Sequence, residues 1–256
     1  MNRNLFSSFV IFFFSISSYA QEGVKTTAPT SSVSKVTGKI MLIPYESKLY
    51  MSSIDQSINK VTNWNFNQIR ENFRKQLDAQ LTMKMQSYGG AVSFYADSAK
   101  MSKDLDYIYK STSLSYDLVE KPSNPTIATT DKTKNIKNGQ LAVELNSDKK
   151  FMNTKIVNIE MLDYLNKKYK SEYFVFINEL DINTDADSYD VKTDSYQRSA
   201  TVHYTIIDKT GKLITAGAAV SNFSSKINEP KKIVSQSFAP IASFIATKYD
   251  SKVNVK

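Results

Sequence analysis

The stretch Tyr173-Phe-Val-Phe-Ile177 limits the possible folds more than any other part of the chain. It is apolar at every position. A strand apolar on both faces is a central strand, covered on both sides. The chain must therefore supply packing material for two faces of a sheet. Beyond Asn178 the pattern changes, because Leu180 and Ile182 alternate with Glu179 and Asp181, which predicts one face toward water.

A second strand follows with clear alternation. Ala200, Val202, Tyr204 and Ile206 share one face, and Ser199, Thr201, His203 and Thr205 share the other. A one-residue slip would exchange those faces, so the register is well specified. Lys209-Thr-Gly-Lys212 then makes a hairpin turn, with Gly211 at a position suited to positive φ. The third strand runs on toward Val220 and Phe223.

Earlier in the chain, Lys39–Tyr45 is another strand apolar on both faces, which Pro44 ends because it cannot donate to a ladder. Asn65–Tyr88 is a helix with Phe66, Ile69, Phe73, Leu77, Leu81 and Met85 on one stripe. Asn65 and Gln68 fit a capping box, and Gly89-Gly90 stops the helix. Ala91–Tyr95 reads as a short strand. A second helix runs through Leu114 with Met101, Leu105, Ile108 and Thr112 inward, and a third spans Ile159–Tyr169. Glu229-Pro230 opens the last helix, whose stripe is Val234, Phe238, Ile241, Ile245 and Tyr249, with a kink expected at Pro240. The expected class is α/β: a single layered domain with a mixed sheet of about five strands, a C-terminal three-strand unit and packing helices. Its bounds are 39–250, with an exposed Pro- and Thr-containing insertion at 120–138.

The first 20 residues read as a secretory signal peptide. Arg3 precedes the apolar run Phe9–Phe14, and Ser18-Tyr19-Ala20 gives the small-x-small cleavage pattern. Residues 21–38 read as a flexible linker. The expected address is the periplasm, without a membrane span after cleavage. The chain contains no cysteine, so neither a disulfide nor a lipid-bearing cysteine is available. Its formal charge of +8 falls by one when Arg3 leaves. The lysines are scattered, which fits solubility or an anionic envelope surface better than nucleic acid.

No catalytic signature is present. The single histidine, His203, has no nucleophile-elbow sequence to serve. Seven glycines form no phosphate cradle, so no nucleotide cofactor is expected. Asp181-x-Asn183-x-Asp185-x-Asp187 imitates the start of a calcium loop. It places Ala186 where glycine is required and Lys192 where a bidentate glutamate is required, so no metal is expected. Glu179 and Asp181 leave open a carboxylate-dependent hydrolase, and a small-ligand or lipid carrier is the other alternative to a binding module.

Tyr45–Asn63 reads as a long loop too apolar for disorder, with a short helix around Ser53–Val61. If the Lys39 and Tyr173 strands are parallel, this loop and Asn183–Gln197 emerge at one edge of the sheet. The expected binding surface is then Tyr45, Tyr50, Met51, Asp55 and Trp64 from one loop and Asp185, Asp187 and Tyr189 from the other. Exposed aromatics there suit a partner protein of the envelope, although they would equally cover the end of the sheet.

Ile43–Asp55, and Tyr173–Leu180 followed by Val202–Gly211, resemble a group of exported proteins of Bacteroidetes-type bacteria. That likeness runs over most of the mature chain and implies no activity. The order of strands and helices is also similar to the α/β domain of the TolB amino terminus and of outer-membrane lipoprotein activators of peptidoglycan synthases. The latter likeness implies a role in binding proteins rather than catalysis. The missing cysteine departs from the lipoprotein pattern.

Overall fold

Why the apolar strand becomes the centre of the sheet is visible in its neighbours. A computed structural model describes residues 38–95, 98–118, 136–137, 140–141 and 150–253. The expected signal peptide, most of the linker and most of the 120–138 insertion lie outside these residues. The described residues belong to one unit, Lys35–Lys256.

Strand β1 (Lys39–Ile43) is followed by β2 (Tyr50–Ser52), α1 (Asp55–Thr62), α2 (Phe66–Met85), β3 (Ala91–Ser93) and α3 (Ser98–Lys110). Then come β4 (Thr112–Leu118), a two-residue ladder of β5 (Ile136–Lys137) with β6 (Gln140–Leu141), β7 (Lys150–Ile156) and α4 (Glu160–Tyr169). The chain closes with β8 (Ser171–Asp190), β9 (Ser195–Asp208), β10 (Leu213–Ser224), α5 (Pro230–Ile233) and α6 (Ala239–Val253).

The main sheet has six strands in the order β10-β9-β8-β1-β3, with β2 added beside β8. β1, β2 and β3 run parallel to their neighbours, and β8, β9 and β10 are antiparallel. One face carries Ile40, Leu42, Val175, Ile177 and Val202 under α1, α2 and α6. The other carries Met41, Ile43, Phe174, Phe176 and Ile207 under α3 and α4. Two covered faces are what a strand apolar at every position requires.

The helices follow their apolar stripes. Asn65 and Gln68 form the reciprocal capping box, at 2.8 and 3.0 Å, and Ile69, Phe73, Leu77, Leu81 and Met85 are buried. Phe66, in the first turn, is instead exposed, beneath the Arg70 guanidinium. Pro240 does not break the last helix. A π-helical turn, Val234–Phe238, joins α5 to α6 and sends the Ala239 N–H to the Val234 carbonyl. Because Pro240 has no N–H, the Gln236 carbonyl lacks its helical donor, and the Ser221 hydroxyl donates to it at 3.1 Å.

Several sequence expectations need correction. The second helix ends at Lys110, and Thr112–Leu118 is a strand that pairs with β7, which was not foreseen. Tyr45–Asn63 is more regular than a long loop: α1 lies where a short helix was expected, and β2 is a strand the sequence did not announce. Asn183–Gln197 is mostly the distal part of the β8–β9 ribbon, turning at residues 191–194. The polar face of β9 is covered by the β4–β7 pair. That pair joins it through polar contacts: the Thr154 N–H donates to Thr205 Oγ1 at 3.0 Å, and Asn178 Nδ2 donates to the Met152 carbonyl at 2.7 Å.

Candidate functional site

A single β-bulge builds the site. Ile177 pairs with Tyr204, yet Glu179 pairs with His203, so Asn178 is an extra residue on β8. Strict alternation would place Glu179 on the same face as Val175 and Ile177. The bulge turns Asn178, Glu179 and Asp181 to the side covered by the β4–β7 pair, while Leu180 and Ile182 enter the main core. There the carboxylates meet His203 of β9 and Tyr116 of β4.

Oxygen and nitrogen atoms of Glu179, Asp181 and His203 lie within 4.8 Å of one another. Glu179 is buried, and its Oε2 accepts from the Tyr116 hydroxyl at 2.8 Å. The Asp181 carboxyl is in hydrogen-bond contact with Glu179. Burial, and then the hydrogen bond and charge of Glu179, push its pKa up to about 7. Asp181 is thus the carboxyl that keeps its proton toward neutrality. Burial lowers the pKa of His203, against the pull of Glu179. Tyr116 is pushed up to about 12 by burial and by Glu179.

The tautomer of His203 follows from one contact. Its Nδ1 accepts the Met152 N–H at 2.8 Å, so in the neutral ring the proton sits on Nε2. Nε2 faces Asp181 Oδ2 at 4.0 Å, too far for a direct hydrogen bond. Glu179, Asp181 and His203 are the donor set one would name for a metal. The set fits a cation poorly, because Nε2 presents a hydrogen rather than a lone pair. The calcium-like run fares no better. In an extended strand, Asp181, Asn183, Asp185 and Asp187 are spaced by about 6.5–7 Å per pair of residues and cannot converge on one ion.

The cluster forms the floor of an open groove of about 1360 Å³. The groove wraps round the edge strand β10: on the side of the cluster it is lined by the β4–β7 pair, with Tyr116, Leu118 and Phe151, and by Val220, and on the opposite face of the sheet by α6, with Phe244. Met51 of β2 stands at one end, opposite Asp181 in the strand register. Lys150, Lys248 and Lys252 line it without a salt bridge among the described residues.

The residues expected to form a binding surface separate into three groups. Tyr45 and Tyr50 are core residues, only 1% and 5% exposed, and this corrects their expected place on a surface. The Tyr50 hydroxyl donates to Asp55 Oδ1 at 2.6 Å, and Trp64 packs half-buried against the same core. Met51 alone of that loop reaches the groove. Asp185, Asp187 and Tyr189 lie on the far end of the ribbon, where Tyr189 donates to Asp194 Oδ1 at 2.7 Å and its ring meets Tyr196. β1 and β8 are parallel, as the common-edge argument required, and Ser53 Oγ accepts the Thr184 N–H across the two segments. Sequence reasoning noted Glu179, Asp181 and His203 separately but missed their convergence, which depends on the bulge.

No family model matches the sequence, and no curated protein matches it. Two solved structures align over most of the chain. Lipoprotein GNA1162 from Neisseria meningitidis aligns at a TM-score of 0.35 and 8% identity, over 85% of this chain and 99% of its own. The hypothetical protein CT253 from Chlamydia trachomatis aligns at 0.37 and 10%, over 85% and 96%. Likenesses at these TM-scores carry no argument about function, and they leave the Bacteroidetes and TolB resemblances unsupported.

Proposed function

We propose that the chain is an exported, non-enzymatic binding module of the cell envelope, and that its working face is the groove above Glu179, Asp181 and His203. The observation that carries this reading is a set of large apolar side chains left exposed along one groove. Met51, Tyr116, Leu118, Leu213, Val220 and Phe244 are each between 44% and 60% exposed. An apolar surface of this kind with a polar, lysine-bearing border is what a docking site looks like before it is covered. The groove is open along its length, so it suits an extended ligand or partner segment. Export rests on the amino-terminal pattern of Arg3, the Phe9–Phe14 run and Ala20.

The carrier alternative requires an internal cavity. Beside Tyr45 and beside Tyr109 the described core leaves spaces of about 10 and 20 Å³, room for one water and not for a lipid chain. The hydrolase alternative draws on the Glu179–Asp181 pair, but Glu179 is buried and hydrogen-bonded on both sides.

Capture of envelope components by the mature chain, compared with Val220→Glu/Phe244→Glu, tests the reading. Both side chains are exposed, so the double variant keeps its melting temperature and loses the captured material. Undiminished capture would place the working face elsewhere.

A further inference from the structure

The two edges of the main sheet are finished differently. One edge is β3, three residues long; the other is β10, twelve residues long. Among the described residues β10 pairs with β9 alone, so alternate residues along it turn N–H and C=O groups outward with no strand to meet them. Proteins ordinarily blunt such an edge by brevity, charge, proline or a bulge. β3 is brief. β10 uses none of these devices after its first residues. No charged residue and no proline lies between Leu213 and Ser225, in a chain of which 23% is charged. Its register shift falls before Thr215.

Gly217, in the middle of this edge, adds an independent observation. Its φ is not in the left-handed region. A Cβ built there would meet the Tyr204 hydroxyl at 3.8 Å, an ordinary contact, and nothing nearer outside its chain neighbours. Packing within the protein therefore does not require glycine here, although glycine weakens a strand. Glycine inside a strand often marks the close approach of another backbone.

The groove wraps this edge, so an added strand would find a wall on each side. On the α6 side stand Phe244, Lys248 and Lys252, all exposed. They are four residues apart and form one row along the helix, rising about 6 Å per step. Side chains on one face of a strand are spaced by about 6.5–7 Å. A guest strand thus matches the row step for step, with one apolar position and then two acidic ones. On the β4–β7 side, Leu118 and Val220 are exposed and suit apolar residues. α6 runs back along β10. Ser221 meets Gln236 just before the helix, and Tyr249 meets Tyr173, which pairs with Asp208 at the end where β10 begins. A guest antiparallel to β10, the more stable pairing, therefore presents its apolar position first.

We propose that β10 receives an extended, acidic segment of a partner protein as an added strand, with alternate side chains seated on the Phe244–Lys252 row and on Leu118 and Val220. Main-chain hydrogen bonds supply the affinity, and the two walls select the sequence. A second copy of this chain suits the edge less well, because both copies are strongly basic. The proposal rests on the groove as the working face and names what occupies it.

The probe is the peptide acetyl-Thr-Val-Val-Glu-Val-Glu-Thr-amide, titrated into the ¹⁵N-labelled mature chain. It slows hydrogen exchange at alternate backbone amides between Thr215 and Phe223. Two N-methylated forms separate strand pairing from side-chain docking. Methylation of one set of alternate residues abolishes binding, and methylation of the other set changes it by less than about 3-fold, because only one set faces the edge. Lysine in place of both glutamates weakens the peptide about 10-fold or more. Lys248→Ala/Lys252→Ala weakens the glutamate peptide to a similar degree and keeps the melting temperature, since both side chains are exposed.

No protection of β10 by the peptide, or equal loss with both methylated forms, overturns strand addition. Equal binding of the lysine and glutamate peptides removes the acidic partner and overturns the proposal as stated. A dimer seen by light scattering, with the same β10 amides protected, gives the edge to a second copy and overturns it too. In each case the groove reading stands separately if Val220→Glu/Phe244→Glu still abolishes capture.

Discussion

Replacing Asp181 with asparagine makes the clearest statement about the floor of the groove. The carboxyl has a folded-state pKa of about 7 against an ordinary value of 3.8. A folded pKa raised above the unfolded one contributes stability that is fully present below about 3.8 and is lost as pH rises through about 7. The difference of about three units corresponds to roughly 4 kcal/mol if nothing screened it. The Asp181 side chain is 17% exposed and borders the open groove, so water reduces the effect. About 1–2 kcal/mol is a reasonable expectation. Asparagine is isosteric with the protonated acid, and its amide still donates to Glu179, so the variant keeps the stability that the wild type loses. His203 works in the opposite direction. Its pKa is lowered, so its contribution is present above about 6.5 and is lost as pH falls. Both proteins contain it, and it largely cancels in their difference. Urea unfolding at pH 4.5, 6, 7 and 8 and constant ionic strength reads the outcome. Asp181→Asn and wild type are about equal at the lowest pH, and the variant is the more stable by about 1–2 kcal/mol at pH 8. A difference that does not change with pH would refute the raised pKa of Asp181.

The other expectations can be measured on the same footing. Tyr50→Ala empties a core position and costs about 3–4 kcal/mol in denaturant unfolding, while Met51→Ala, on the groove, costs less than about 0.5 kcal/mol and weakens capture. An unfolded or equally weak pair would show that β2 has been misread. Gly211→Ala destabilises by at least about 1 kcal/mol, because φ there is +82° and the new Cβ would stand 2.8 Å from Ile159 Cδ1. Ser221→Ala removes the donor to the Gln236 carbonyl and lowers stability by about 1 kcal/mol; no change would mean that water replaces it. Millimolar zinc or calcium leaves the melting temperature where it was, since the His203 proton occupies the coordinating position; a saturable rise would overturn the tautomer.

The sequence by itself determined the parts of the fold that local pattern controls. The unbroken apolar run of β8 required cover on two faces. The stripe of α2 and its Asn65–Gln68 box fixed that helix, and Gly211 fixed the last hairpin. These signals are short-range: a period, a cap, a positive φ. The tertiary structure decided what covers what. Thr112–Leu118 alternates too weakly to announce a strand and becomes one only by pairing with Lys150–Ile156, across a long sequence gap. That pair then covers the polar face of β9, so His203 and Thr205 are buried in hydrogen bonds to β7. Tyr50 could have been a surface contact or a lid on the sheet, and only its place beside Phe73 and Asp55 chose the second. The floor of the groove depends on one inserted residue, Asn178. A period-2 reading of Glu179 and Asp181 continues the alternation through it, whereas the bulge reverses the faces. Register across strands is a cooperative property of the assembled sheet, and no window along β8 alone contains it.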